Sequence, residues 1–274
     1  MRFALNHMVA PRQDFCALAS LARELGLDAV ELRNDLPGVP LQDGSPTASV
    51  RDQATAAGVS ILGINALQRF EQWDDVRRTD ACALADQAWG CGASAIVLCP
   101  TNDRQDARAP GLRARDLRHA LEALLPILSE RGLQGLVEPL GFPQSALRTK
   151  RDAVCAIRDV DGSEVFGLLH DTFHHFLAGE TGFFPEHTGL VHISGVEDPT
   201  PAVDELRDGH RVLVSGQDRV GNIAQLRGLL DGGYAGAFSF EPFSDTVHTM
   251  PDPAPALRES MALIERATVR ACPA

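Results

Sequence analysis

Residues 24–32 read ELGLDAVEL, and residues 130–138 read ERGLQGLVE. Each passes from a helical pattern, through one glycine, into a short apolar run that carries a glutamate near its end. Gly26 and Gly132 stand where a helix closes in the left-handed conformation that favours glycine. The apolar runs that follow alternate poorly. That suits strands covered on both faces, as in a parallel sheet, better than half-exposed hairpins.

The same grammar recurs along the chain. Strand candidates lie at 2–5, 28–32, 59–64, 94–98, 134–138, 165–170, 189–194 and 237–241. Helical patterns fill 12–25, 73–90, 112–130, 222–231 and 255–270. In RQDFCALASLAREL, Phe15, Leu18, Leu21, Ala22 and Leu25 fall on one helical face. The Pro/Gly/Asp-rich stretch 34–46 reads as a strand-to-helix loop. Eight strands alternating with helices over 274 residues predict a (β/α)8 TIM barrel, α/β in class, spanning 1–274 as one domain. An open doubly wound sheet is the competing fold. It often carries a glycine-rich loop after its first strand, and LNHMVAP stands there instead.

Apolar residues make up 44% and charged residues 23%, ordinary for a globular protein. A net charge of −12 opposes nucleic-acid binding, which depends on cations neutralising phosphates. No stretch approaches the roughly 20 apolar residues that span a bilayer. The cysteines are scattered without a C-x-x-C, and the N-terminus lacks a signal-peptide pattern. A cytoplasmic protein is expected.

In such a barrel, chemistry gathers at the C-terminal ends of the strands. Those ends carry Asn6 and His7, Glu31 and Arg33, Asn65, Glu138, His170 and Asp171, His192, and Glu241. Ionisable groups inside strands are costly unless paired or metal-bound. Glu138, Asp171, His192 and Glu241 come from four consecutive strands and can converge. Three carboxylates and an imidazole suit one divalent ion: Mn²⁺, Mg²⁺, Co²⁺ or Zn²⁺. Singly, each also reads as a structural ion pair or a hydrogen-bonded core histidine. In GLLHDTFHHF (167–176), strand alternation turns His170 away from Asp171, and His175 falls to a helix without a special role. Asn6 and Asn65 can bond substrate hydroxyls or hold turns. Phe70 and Trp73 can wall a ring's C–H face or pack the core.

Several blocks resemble one family. They are DAVELR (28–33), ILGINALQRF (61–70), LVEPLGFPQSALRT (136–149), GLLHDTFHHFLAG (167–179), LVHISGVED (190–198), HRVLVSGQ (210–217) and FSFEPF (238–243). Together they resemble the xylose-isomerase-like barrel superfamily of sugar isomerases and epimerases, over nearly the whole chain. The E-x-x-G-x-P-Q and D-T-F-H blocks are the specific ones. The resemblance implies that Glu138, Asp171, His192 and Glu241 ligate one divalent metal. It implies that His174 and Arg211 contact the substrate, and that Glu138 and Glu241 are the acid/base pair of an enediolate proton transfer. Within the superfamily the chain is most similar to inosose isomerases of inositol catabolism, which implies 2-keto-myo-inositol as substrate. Dehydratases of inosose or dehydroshikimate share the ligands and are the alternative. Endonuclease relatives, with more histidines and several ions, and non-catalytic sugar binders fit less well. Ser194 and Gly195 depart from the family where an acidic residue often follows the histidine, and SGQDRVGN (215–222) departs from its usual loop. Association into a homo-oligomer is left open.

Overall fold

A computed structural model describes residues 1–36, 38 and 44–268. Its strands are β1 (Arg2–Asn6), β2 (Ala29–Arg33), β3 (Ser60–Gln68), β4 (Ala95–Cys99), β5 (Gln134–Val137), β6 (Phe166–Asp171), β7 (Thr188–Ile193) and β8 (Ala237–Phe240). They close into one parallel barrel in chain order, with β1 paired to β8. Closure removes the doubly wound alternative. Each expected run became a strand because burial on both faces matches its unbroken apolar character; β2 and β4 are buried throughout.

Around the barrel run α1 (Phe15–Glu24), α2 (Thr47–Ala57), α3 (Asp75–Cys91), α4 (Pro110–Ser129), α5 (Lys150–Asp159), α6 (Thr172–Ala178), α7 (Asn222–Asp231), α8 (Asp245–His248) and α9 (Ala254–Thr268). The sequence reading gives no bounds for α2, α5 or the short α6 and α8. α2 buries only Val50 and Ala54, too thin a stripe to register, and α5 opens with a run of charge. Side chains of Asp14, Asp74, Thr149 and Asp171 accept backbone N–H groups at the starts of α1, α3, α5 and α6. Gly26 and Gly132 take φ of +75° and +63°, as the opening motif requires. The loop expected at 34–46 and the tail of the 255–270 helix lie partly outside the described residues, and so does Cys272.

Strand alternation sorts the core into two shells. Large side chains such as Phe3, Leu5, Phe15, Leu124 and Phe238 fill the space shared by barrel and helices. A smaller cluster, including Ala4, Ala29, Val97, Leu136, Leu169, Leu190 and Ala237, shares the opposite strand faces. Two residues further along those same faces stand Asn6, Glu31, Cys99, Glu138, Asp171, His192 and, beyond Ser239, Glu241. A small apolar floor therefore carries a polar layer at the barrel's C-terminal end.

β3 is exceptional at 9 residues, and its register with β4 shifts between Ile64 and Leu67. The shift carries Gln68 and Arg69 to the rim. No helix among the described residues is long and apolar enough to cross a membrane. The described cysteines are free thiols.

Candidate active site

Asp171 and His192 are direct partners across β6 and β7. Glu138 and Glu241 follow β5 and β8, and their amides still extend the ladder to Leu98 (3.1 Å) and Ile193 (3.0 Å). One donor atom from each of the four residues lies within 4.8 Å of the others, and all four residues are buried. His192 Nδ1 stands 3.0 Å from Glu241, 3.6 Å from Glu138 and 3.9 Å from Asp171. Its Nε2 lies 2.9 Å from Glu31. With Nε2 turned to Glu31, Nδ1 faces the three carboxylates. Nδ1 is buried and makes no hydrogen bond. Three carboxylates with one imidazole are a donor set that fits a divalent ion.

The electrostatics run in opposite directions at neighbouring groups. Burial opposes charge on His192, but Glu241 and Glu31 outweigh it and hold its pKa well above the ordinary value. Burial also pushes the Glu241 carboxyl up; His192, Arg211 and Arg33 more than reverse this and hold it far below the usual range. Glu241 Oε1 accepts from Arg33 (2.7 Å), Asn65 (3.1 Å) and Asn6 (3.3 Å), and Oε2 from Arg211 (2.8 Å). Glu138 accepts one side-chain hydrogen bond, from the Cys99 thiol at 3.2 Å. Asp171 caps α6 through the His174 amide (2.9 Å) and accepts from Arg211 Nη2 (2.5 Å).

Above these carboxylates opens a cavity of about 330 Å³, lined by Glu138 and Glu241 together with Asn65, His174 and Arg211. His174 packs edge-on to Phe142 at 5.2 Å and leaves its buried Nδ1 unpartnered. Arg211 is buried and donates from Nε to Ser194 Oγ at 2.9 Å. The serine that departs from the family pattern thus holds the arginine in place. Asn6 lies beneath, wholly buried and outside the cavity lining. Its Oδ1 accepts from Met8 N–H and its amide reaches Glu31 and Glu241.

Phe70 and Trp73 do not form the wall. Phe70 packs in the core between barrel and helices, and Trp73 lines a separate cavity beside Glu71 and Arg108. Phe142 and Phe243 wall the site instead. The Phe243 ring lies 4.5 Å from the Arg211 guanidinium and 5.3 Å from that of Arg33. Glu31 and Arg33 were legible as strand ends, but their partners were not. An acid two residues after Ala29, on the same strand face, was the available signal for Glu31. Phe243, in the loop after β8, gave none.

A sequence profile described as the xylose isomerase-like TIM barrel family matches residues 19–267. A solved xylose isomerase domain containing protein from Salmonella typhimurium LT2 is 34% identical, with a TM-score of 0.87 covering 98% of this chain and 97% of that one. The IolI protein with a bound zinc atom gives a TM-score of 0.83 at 18% identity, over 98% of both chains. D-psicose 3-epimerase from Clostridium cellulolyticum H10, solved with D-tagatose, gives 0.75 at 14% identity, over 98% of this chain and 100% of that one. At those identities the last two share the fold. No curated protein matches the chain by sequence.

Proposed function

The chain belongs to the xylose isomerase-like TIM barrel family, and from that premise we propose that it is a divalent-metal-dependent isomerase or epimerase of a keto-polyol. The first substrate to test is 2-keto-myo-inositol. The observation that carries this reading is the convergence of His192 Nδ1 with carboxylate oxygens of Glu138, Asp171 and Glu241, all within 4.8 Å of one another, at the floor of a polar cavity. Those four residues would hold the ion, which when bound polarises a carbonyl and favours the enediolate.

The chain's own groups divide the remaining work. Glu138, which accepts one side-chain hydrogen bond and lines the cavity, is placed to take the proton beside the carbonyl and return it to the adjacent carbon. Glu241 completes the acid/base pair unequally. Arg33, Asn65, Asn6 and Arg211 keep it ionised, so it serves as ligand and as acceptor for a substrate hydroxyl. The free Nδ1 of His174 and the Arg211 guanidinium hold oxygens in register, with Asn65 beside them. Phe142 and Phe243 face the substrate's C–H side and exclude water.

The test is incubation of the metal-reconstituted protein in D2O with 2-keto-myo-inositol and with simple ketohexoses. Deuterium at the carbon beside the carbonyl, with product mass otherwise unchanged, is expected. Loss of one water from the product would mark a dehydratase. No exchange with any divalent ion would overturn the reading.

A further inference from the structure

Three arginines line the cavity: Arg33, Arg69 and Arg211. Arg33 is taken by Asp35 and Glu241, each at 2.7 Å. Arg211 is taken by Asp171, Glu241 and Asp208. Arg69 is different. Among the described residues its side chain has no ion pair or hydrogen bond, and it is exposed to the cavity mouth. Its position is built. The long β3 and its register shift carry it beyond the barrel's edge. Its backbone takes φ of +53°, a left-handed conformation that long side chains seldom adopt and that fixes where the chain turns after β3.

We infer that Arg69 anchors an anionic group at the substrate end remote from the carboxylate cluster, so that the site prefers keto-polyols bearing a carboxylate over their neutral counterparts. This rests on the proposed reaction for its keto-polyol frame and adds the charge at the far end. A guanidinium presents a planar fork that matches a carboxylate with two parallel hydrogen bonds. The rim beside it supplies neutral donors, Gln68 and Asn102, and no second free cation among the described residues. That balance suits one negative charge better than a doubly charged phosphate.

D-gluconate and D-sorbitol isolate the effect, since they share a carbon chain and differ at one end, carboxylate against hydroxymethyl. Their dissociation constants are measured by calorimetry on the Mn²⁺-loaded protein at low salt. The expected preference for gluconate is roughly tenfold, typical of one partly exposed charge-assisted contact. It should fall to about twofold in Arg69→Gln, survive in part in Arg69→Lys, and shrink as salt is raised. A gluconate-to-sorbitol ratio near one in the parent protein overturns the inference. So does a ratio unchanged in Arg69→Gln, which would put the carboxylate on the ion or on Arg211. A purely structural role for Arg69 would weaken both ligands together and leave the ratio intact. Deuterium exchange into neutral ketohexoses reads the proposed reaction separately. Exchange without a gluconate preference removes the anchor alone, and a preference without exchange removes the reaction alone.

Discussion

His192 and His170 lie on adjacent strands and are both 0% exposed, yet they are driven in opposite directions. His192 points into the barrel, where Glu241 and Glu31 overcome burial and hold its pKa high. His170 points out towards the helices. Its Nε2 meets Gln225 at 2.9 Å, and its ring lies 4.9 Å from that of His175. His175 Nδ1 in turn lies 2.5 Å from Lys150 Nζ, which pairs with Glu180 at 3.1 Å. Burial lowers the pKa of His170 and His175, and the Lys150 charge lowers them further, His175 to about 4. Burial alone therefore says little about a histidine. Anionic neighbours make one nitrogen a place for a cation, and a cationic neighbour makes the other ring a neutral packing group.

The sharpest way to break the inner cluster is to neutralise its two unequal carboxylates one at a time. Glu138→Gln should lower turnover and solvent exchange by about 10³-fold, within the usual range for a lost general base, with a smaller change in metal affinity. Glu241→Gln leaves Arg33 and Arg211 facing an amide, so metal affinity should drop more than in Glu138→Gln. Deuterium wash-in and metal titration of both variants decide it. Full exchange in Glu138→Gln beside none in Glu241→Gln would swap the two roles.

The hydrogen-bond partners of the two histidines give a smaller contrast. Glu31→Gln removes the carboxylate that aims His192 and should weaken metal binding by roughly 10- to 100-fold. Gln225→Ala removes the equivalent partner of His170 and should leave metal affinity unchanged. Equal losses in the two variants would mean that the outer cluster supports the site as much as the inner one.

How much of this was legible depended on whether the signal was local. Each strand was readable because burial on both faces leaves an unbroken apolar run. Glu138, Asp171, His192 and Glu241 stood out because a charge at the end of such a run is costly without a partner. The strand period of two separated His170 from Asp171 before any coordinates. Partners across the barrel were not local. Nothing in DAVELR says that Glu31 meets a histidine on β7, and nothing in the LRTKRD segment around Lys150 says that it lies against His175. His175 was read as a helix residue without a role, although it belongs to a buried ionic cluster. Of the two readings open for Phe70 and Trp73, core packing holds; the wall is made by Phe142 and Phe243, which follow Glu138 and Glu241 in the loops after β5 and β8.

The smallest expected effect tests the sign of the outer cluster. In the unfolded chain a histidine titrates near 6.5; in the fold His175 is held at about 4, and His170 is also held well below the ordinary value. Below pH 6.5 the unfolded state takes up protons that the folded state refuses. Stability is therefore full above pH 6.5 and lost as pH falls towards 4. From pH 7 to pH 5 the His175 share is roughly 1–2 kcal/mol, read as a fall in the urea midpoint of the metal-free protein. Glu180, whose carboxyl Lys150 holds below its ordinary 4.5 against the pull of burial, loses its contribution in a lower window, while His7 and His192 also titrate across this range, so the His175 share is read as the difference between parent and variant. His175→Gln, which can still accept from Lys150, should flatten the pH slope by that amount. An unchanged slope would mean that His175 takes its proton in the fold, and the contrast with His192 would then be one of place and no longer one of charge.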